Sequence, residues 1–131
     1  MGPSRIAIVG RWDDPADVAA AMEAAITLAR IDLARGRAGA LYDSGVRFAR
    51  ESERWRDAGE ERFVLPSLVL HRGVGDCDDL VIWRVAELRN AGVDAAPAQV
   101  VIRPGLTHMV VRYSDGQYED PAMALGMLDG G

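Results

Sequence analysis

The stretch from Cys77 to about Ala91 constrains the fold more than any other part of this sequence. Asp76 is suited to cap a helix that begins at Cys77, and Gly92 is suited to end it. Between these limits the apolar residues occupy more than one face of the helix: Leu80, Val81, Ile82, Trp83, Val85, Ala86 and Leu88. A helix that is apolar on more than one side is buried inside a domain. The sequence therefore predicts a fold assembled around this helix.

A second helix is predicted from Pro15 to Ala34. Asp14 is suited to cap it, Pro15 to occupy its first position and Gly36 to end it. Its apolar residues recur at spacings of three and four: Val18, Met22, Ala25, Ile26, Ala29 and Leu33. This pattern gives the helix one apolar face, so we expect it to cover the central helix.

The section at 38–72 has no clear hydrophobic period. Charges of both signs alternate over 47–57, which indicates a solvated helix or loop with Phe48 and Trp55 as its anchors. Two short apolar runs are separated by Pro66, and this interruption predicts irregular structure on both sides of the proline.

The hydrophobic period changes to two in the last third of the chain. Residues 98–103 and 107–113 are rich in Val and Ile and predict two strands. A turn at 114–116 and a third short strand at 117–120 follow, and Pro121 stops that strand. With 131 residues, the chain has the length of one domain. We therefore predict an α+β fold, in which the central helix packs on a small antiparallel sheet and the N-terminal helix covers it.

Composition narrows the classes of function. The net charge is −5, and the 15 basic residues are all arginine and form no concentrated patch, which argues against a nucleic-acid partner. The single cysteine, Cys77, excludes an intrachain disulfide and a metal site made of several thiolates. No stretch approaches the roughly 20 apolar residues of a membrane helix. We expect a cytoplasmic protein without a membrane partner and with a tail, from Met123 onward, that is loosely held.

Cys77 is the first candidate for chemistry. The free N–H groups and the dipole at the start of a helix favour a thiolate there. The acidic residues Asp76, Asp78 and Asp79 act against a second negative charge, although a helix places them at different azimuths. By itself, a lone cysteine on a buried helix is most often a small core residue. A reactive role predicts that Cys77 opens the helix instead of lying within it.

His108 is the candidate base, although a lone histidine on a strand is usually a structural donor. If 114–116 form a three-residue loop with Gly116 in the left-handed region, Val110 lies opposite Asp120. His108 and Asp120 are then diagonal neighbours on one face, within reach of an imidazole–carboxylate hydrogen bond. A two-residue loop would instead place them on opposite faces.

Four segments resemble the transglutaminase-like core of the papain-like cysteine peptidase superfamily. They are GVGDCDDL at 73–80, LRNAGVDA at 88–95, THMVV at 107–111 and DGQYEDP at 115–121. The family has Gly-Asp-Cys before its central helix, a Leu-Arg exit from that helix, a His on a strand and Asp-Pro after a turn. The likeness covers about 70–122, in the order of the family. A further segment, YDSGVRF at 42–48, is similar to small members encoded by bacteriophages.

The resemblance implies a single transglutaminase-like domain over 1–131 and a Cys-His-Asp triad. In that triad Cys77 is the nucleophile, His108 the base and Asp120 the residue that orients the base. We expect Cys77 Sγ within about 4 Å of a His108 ring nitrogen. The implied function is acyl transfer at an amide or peptide bond, as a cysteine peptidase or amidase or as a transglutaminase. The partner is a protein or peptide substrate, and no metal or cofactor is implied.

Two departures from the family keep a second hypothesis open. Met109 stands where the family often has an aromatic residue. The oxyanion donor is also unassigned: the Cys77 backbone N–H is one candidate, and Ser67, Trp55 and His71 are side-chain candidates. The alternative is a non-catalytic assembly or adaptor protein on the same scaffold, for example one of a phage particle, located in the host cytoplasm or the virion.

Overall fold

The protein is described by a computed structural model over residues 7–10, 15–50 and 61–127. Within these ranges the chain forms four helices and three small sheets, an α+β arrangement. The helices are α1 (Pro15–Ala34), α2 (Pro66–Arg72), α3 (Cys77–Asn90) and α4 (Pro121–Ala124). The strands are β1 (Ala7–Gly10), β2 (Arg47–Phe48), β3 (Glu61–Val64), β4 (Val74–Gly75), β5 (Ala95–Arg103), β6 (Leu106–Tyr113) and β7 (Tyr118–Glu119), and a 3₁₀ turn covers Leu41–Asp43. None of these helices has the length and apolar character that crossing a bilayer requires.

Helix α3 lies at the centre of the core, as the sequence predicts. Its fully buried side chains are Leu80, Val81, Ile82, Trp83, Val85 and Ala86. Val81, Ile82 and Val85 contact α1 and the β5–β6 hairpin, whereas Trp83 packs in a second cluster with α2, α4 and the 3₁₀ turn. The indole N–H of Trp83 donates to the Gly39 carbonyl at 3.0 Å, so burial leaves that donor satisfied. Residues all round α3 are buried because other elements cover it on several sides.

Helix α1 has the predicted bounds, and its apolar face lies in the core. Met22, Ala25, Ile26 and Ala29 are buried in the cluster that α1 shares with α3. Gly36 follows the helix with φ +73°, the left-handed conformation that glycine adopts most readily. The predicted cap, Asp14, lies outside the described residues.

The prediction of irregular structure around Pro66 is wrong. Strand β3 lies before it and pairs antiparallel with β1, and helix α2 begins at Pro66. Proline is compatible with the first turn of a helix because its missing N–H has no intrahelical partner there. The next N–H, that of Ser67, donates to Oδ2 of the buried Asp32 of α1 at 2.8 Å. A carboxylate far away in the sequence therefore stabilises the start of α2.

The charged segment at 47–57 lies partly outside the described residues, and Trp55 is among those that are not described. Within the described part, Arg47–Phe48 forms β2, which pairs in parallel with β4. Phe48 is half-buried against the second cluster, as expected of an anchor.

Strands β5, β6 and β7 form an antiparallel sheet whose second hairpin has the predicted loop. The N–H of Tyr113 donates to the Gln117 carbonyl at 2.9 Å, and Gly116 has φ +88°. Strand β7 pairs Val111 with Glu119, a register that places Val110 opposite Asp120. The three-residue loop is confirmed.

The expectation of a loosely held tail is wrong for residues up to Met127. Pro121, which was predicted to end a strand, is also the first residue of helix α4. Leu125 and Met127 are buried in the second cluster, and the Leu125 carbonyl accepts the Phe48 N–H at 2.9 Å.

Candidate active site

Cys77 is the first residue of α3, and the residues before it explain why the helix begins there. Asp76 caps the helix: its Oδ1 accepts the Asp79 N–H at 3.1 Å, and Asp79 Oδ2 accepts the Asp76 N–H at 3.4 Å. At Gly75 an added Cβ would lie 3.1 Å from Val69 Cγ1, so only a residue without a side chain fits easily. The predicted position of Cys77 is confirmed.

His108 and Asp120 are in direct contact across the β6–β7 hairpin. His108 Nε2 lies 3.0 Å from Asp120 Oδ1 and 2.9 Å from Oδ2. The imidazole is buried, with 6% of its surface exposed, and the carboxylate is 29% exposed. Because the three-residue loop sets the register, both side chains occupy one face, as the sequence analysis expected.

Asp120 has a second contact that fixes its carboxylate. It is the N-cap of α4, and its Oδ1 accepts the Met123 N–H at 3.1 Å. Pro121 occupies the first position of that helix. The carboxylate is therefore oriented by the imidazole on one side and by a backbone N–H on the other.

The contact with Asp120 also selects a tautomer of His108. An ionised carboxylate only accepts hydrogen bonds, so the ring donates through Nε2–H. In the neutral ring the lone pair then lies on Nδ1. This is the nitrogen that can take a proton from a nucleophile, while Asp120 holds the ring in place.

The Cys77 thiol lies beside the strand that carries His108. The backbone N–H of Met109, the residue after His108, interacts with the sulfur and stabilises its thiolate. Sγ is also 3.9 Å from Oδ1 of Asp78. Among the described residues no hydrogen bond joins the thiol to the imidazole, and the separation of about 4 Å between Sγ and a ring nitrogen stays a prediction.

The thiol is not activated in the way the sequence analysis expected. Burial, followed by the charge of Asp78, raises the pKa of the Cys77 thiol to about 12, although the N–H of Met109 acts in the opposite direction. The start of the helix was expected to favour a thiolate. The effect of the helix start on the thiol pKa is outweighed, because desolvation disfavours the charged form and because Asp78, one of the flanking acids, lies against the sulfur.

The carboxylate of Asp79 is buried together with that of Asp76, whereas Asp78 is half-buried. Burial raises the pKa of Asp79 well above its ordinary value, and the charge of Asp76 acts in the same direction. The Val64 N–H, which donates to Asp79 Oδ1 at 2.9 Å, partly opposes this shift. We refer to Asp76, Asp78 and Asp79 as the acidic cluster.

A second polar cluster, which the sequence analysis missed, lies next to Asp120. Glu119 accepts hydrogen bonds from Arg84 Nε at 2.6 Å, from the Tyr42 hydroxyl at 2.6 Å and from the Tyr113 hydroxyl at 2.5 Å. The Arg84 guanidinium also lies over the Tyr42 ring, 4.9 Å from its centroid. We call these four residues the Glu119 cluster. Its signal in the sequence is weak: Arg84 stands between Trp83 and Val85, inside the apolar part of α3.

The Glu119 cluster stabilises a charged carboxylate. Burial alone would raise the pKa of Glu119, but hydrogen bonds from Arg84, Tyr113 and Tyr42 lower it below its ordinary value. Burial and the neighbouring Glu119 raise the pKa of Tyr42, which remains a donor at neutral pH.

The backbone N–H of Cys77 is the main-chain candidate for an oxyanion donor. It belongs to the first turn of α3, and it has no hydrogen-bond partner among the described residues. Of the side-chain candidates, Ser67 is buried in the first turn of α2 and His71 is exposed in its last turn, whereas Trp55 is not described. Within the described ranges, no group of three or more His, Cys, Asp or Glu side chains could hold a metal ion.

No protein-family model matches this sequence, and neither a curated protein nor a solved structure is significantly similar to it. A function must therefore be inferred from the contacts of the chain's own residues.

Proposed function

We propose that this chain is a thiol-dependent acyl-transfer enzyme acting on an amide or peptide bond, on a transglutaminase-like core of the papain-like superfamily. The observation that carries the proposal is the hydrogen bond between His108 Nε2 and Asp120. It joins two residues that the family motifs single out, and it leaves Nδ1 free to act as a base. Cys77 supports the proposal by its place at the start of α3, beside the strand of His108.

In the first step Cys77 Sγ attacks the carbonyl carbon of the substrate. The sulfur–carbon bond forms as the carbonyl electron pair moves to oxygen, and His108 Nδ1 takes the thiol proton. The Cys77 backbone N–H stabilises the oxyanion in this proposal. Collapse of the intermediate breaks the carbon–nitrogen bond, and the imidazolium gives its proton to the leaving amine. Asp120 stabilises the imidazolium while it lasts.

In the second step the thioester reacts with an acceptor. Water releases a carboxylic acid, which is the reaction of a peptidase or amidase, and an amine forms a new amide, which is the reaction of a transglutaminase. In either case His108 removes the proton of the acceptor and returns it to the Cys77 sulfur. Water is favoured because it needs no second binding site.

The raised pKa of Cys77 determines how the nucleophile forms. With a pKa of about 12, the resting thiol is protonated at neutral pH. The enzyme therefore does not rest as a thiolate–imidazolium pair; His108 acts as a general base during the attack. Once a substrate has displaced water from the site, the His108 imidazole is the group that accepts the thiol proton.

A non-catalytic assembly or adaptor role is the second candidate. The observation that favours it is the carboxylate of Asp78, which lies 3.9 Å from Sγ and contributes to the raised pKa of the thiol. A thiol with such neighbours that receives no help from His108 is a core residue.

The experiment that separates the two candidates is acylation of the protein by para-nitrophenyl acetate near neutral pH. The rate of nitrophenolate release gives the speed of attack, and mass spectrometry locates the acetyl group. We expect acetylation of Cys77, absent in Cys77→Ser and slower by about 100-fold in His108→Ala, as for the loss of a general base. His71→Ala is the matched control, because His71 is the chain's other histidine and lies exposed at the end of α2.

If Cys77 is acetylated equally fast in the unmodified protein, in His108→Ala and in His71→Ala, His108 is no base and the enzyme proposal is wrong. The adaptor role then becomes the better account of the fold.

A further inference from the structure

The Glu119 cluster joins the elements that carry the proposed catalytic residues. Glu119 bonds to Arg84 on α3, the helix that begins at Cys77, and to Tyr113 on β6, the strand of His108. Along the chain Glu119 directly precedes Asp120. One side chain therefore connects the three segments whose relative placement decides whether a triad forms.

The backbone alone gives Asp120 little support. Strand β7 has only two residue pairs with β6, Val111 with Glu119 and Arg112 with Tyr118. So short a strand has few ladder hydrogen bonds, and side-chain contacts must hold it in place. Because side chains alternate along a strand, Glu119 faces the opposite side of the sheet from Asp120. The contacts of Glu119 can therefore fix β7 without occupying the face of His108.

We propose that Glu119 and Arg84 are positioning residues: their ion pair fixes β7 against α3 and thereby holds Asp120 on His108 at a set place relative to Cys77. The inference rests on the acyl-transfer function proposed above. Neither residue touches the reacting atoms, and both act through Asp120.

The geometry of the ion pair suits this role. Arg84 donates from Nε to Glu119 Oε2 at 2.6 Å and from Nη2 to Oε1 at 3.3 Å, a two-point contact that fixes direction as well as distance. Arg84 is itself held by Glu87, whose Oε2 accepts from Nη1 at 2.8 Å. Both partners are largely buried, at 18% and 23% exposure, so solvent screens their attraction only weakly.

The chain offers a matched control on the same helix. Arg89 of α3 donates from Nη1 and Nη2 to the two carboxylate oxygens of Glu23, at 2.7 and 3.1 Å. This pair links α3 to α1 and does not involve β7. Glu23→Gln therefore removes a similar two-point ion pair and leaves the support of Asp120 intact.

The test is the rate of Cys77 acylation by para-nitrophenyl acetate near neutral pH, after circular dichroism has shown that each variant is folded. We expect Glu119→Gln to lower the rate about tenfold, less than the roughly 100-fold that a 1 Å misplacement of a catalytic group can cost, because Asp120 keeps its own contacts with His108 and with the Met123 N–H. Arg84→Met should behave like Glu119→Gln, Arg84→Lys should recover part of the loss, and Glu23→Gln should match the unmodified protein.

A double variant tests whether the effect passes through His108. In the His108→Ala background, Glu119→Gln should change the acylation rate no further. The inference is overturned if Glu119→Gln is acylated at the rate of Glu23→Gln, or if it lowers the rate by the same factor when His108 is absent.

A second readout does not depend on activity. The His108 Nε2 proton, held by Asp120, should give a protected downfield signal in the proton NMR spectrum, which Glu119→Gln weakens and Glu23→Gln preserves. If this signal is unchanged in Glu119→Gln, the positioning role is wrong. If the signal weakens as expected but Cys77 of His108→Ala is acylated at the normal rate, the proposed acyl-transfer function is wrong. The inference that the ion pair orients the imidazole then still holds.

Discussion

Two groups of carboxylates flank the proposed active site, and burial acts on both of them. In the acidic cluster at the start of α3, burial and like charges raise the pKa of Asp79. In the Glu119 cluster the carboxylate is also largely buried, yet hydrogen bonds from Arg84 and the two tyrosines lower its pKa. The difference is the partner: backbone N–H groups and other carboxylates surround Asp79, whereas an arginine neutralises Glu119.

This contrast divides the site into two parts. Around Cys77 the surroundings disfavour negative charge, so the thiol rests in its neutral form. Around Asp120 two contacts hold the carboxylate against His108. One is its hydrogen bond with the Met123 N–H of α4, and the other is the ion pair of Glu119 with Arg84, which acts through the neighbouring residue. The proposed base is thus oriented in advance, while the proposed nucleophile is protonated at neutral pH before a substrate arrives.

The largest effect is expected for Asp120→Asn. An amide can hold the wrong tautomer of His108 and cannot balance an imidazolium, so the acylation rate of Cys77 should fall by a factor of the order of 10³–10⁴. Stability should change little, because asparagine caps a helix about as well as aspartate and α4 keeps its cap. Both quantities can be measured on one preparation, by para-nitrophenyl acetate kinetics and by urea unfolding.

Asp115→Asn is the control for this change, since Asp115 lies in the exposed loop of the same hairpin. An unchanged rate in Asp120→Asn would remove Asp120 from the triad. A large loss of stability would mark it instead as a structural carboxylate.

The next effect concerns stability and compares the two ion pairs of α3. Glu119→Gln should lower the free energy of unfolding by about 2 kcal/mol, because glutamine has no charge and only one of the two acceptor oxygens that hold Arg84 and both tyrosines. Glu23→Gln should cost about 0.5 kcal/mol, since Glu23 is 50% exposed. Equal costs in urea unfolding would show that the Glu119 cluster is an ordinary surface ion pair.

The pH dependence of stability should differ in sign between the two clusters. Because the pKa of Asp79 is raised in the folded state, its contribution to stability is present below the ordinary carboxyl value of about 4 and is lost as the pH rises through the folded value. The lowered pKa of Glu119 has the opposite effect: its contribution is present above the ordinary value and is lost as the pH falls through the folded value.

Urea unfolding over a pH series measures both contributions. In Asp79→Asn the free energy of unfolding should decline less as the pH rises toward neutral. In Glu119→Gln it should decline less as the pH falls into the acid range. Asp94→Asn, an exposed change beyond the far end of α3, should leave the pH series as it is. The assignment to Asp79 is wrong if the free energy of unfolding of Asp79→Asn declines with pH as steeply as that of the unmodified protein.

The smallest effect is expected for Asp78→Asn. Removing the carboxylate beside Sγ should lower the pKa of Cys77 and speed its alkylation by iodoacetamide at a fixed alkaline pH by a few-fold. The change is modest because burial, the larger cause of the shift, remains. Asp94→Asn again serves as the control, and an unchanged alkylation rate in Asp78→Asn would show that its charge does not reach the thiol.

Local signals in the sequence predicted much of this fold. The bounds of α1 and the start of α3 follow from caps, prolines and apolar spacing that lie within a few residues of each other. The hairpin register follows from one glycine, Gly116, whose positive φ closes a three-residue loop. The contact between His108 and Asp120 could therefore be anticipated.

Contacts between distant residues could not be anticipated in this way. The start of helix α2 is stabilised by Asp32, which accepts the N–H of Ser67 from 35 residues earlier in the chain. The Glu119 cluster includes Tyr42, at a separation of 77 residues. The chemistry of the thiol also depends on where Asp78 points and on how completely the packed core excludes water, and neither can be read from spacing.

That Cys77 rests as a neutral thiol at neutral pH is tested most directly by titrating the thiol itself. The chain has one cysteine, so the difference in ultraviolet absorbance between the unmodified protein and Cys77→Ser reports the thiolate of Cys77 alone. We expect no thiolate absorbance at neutral pH and its appearance only in strongly alkaline solution, in line with a pKa raised to about 12. A thiolate signal already present at neutral pH would contradict this account and would indicate a preformed thiolate–imidazolium pair.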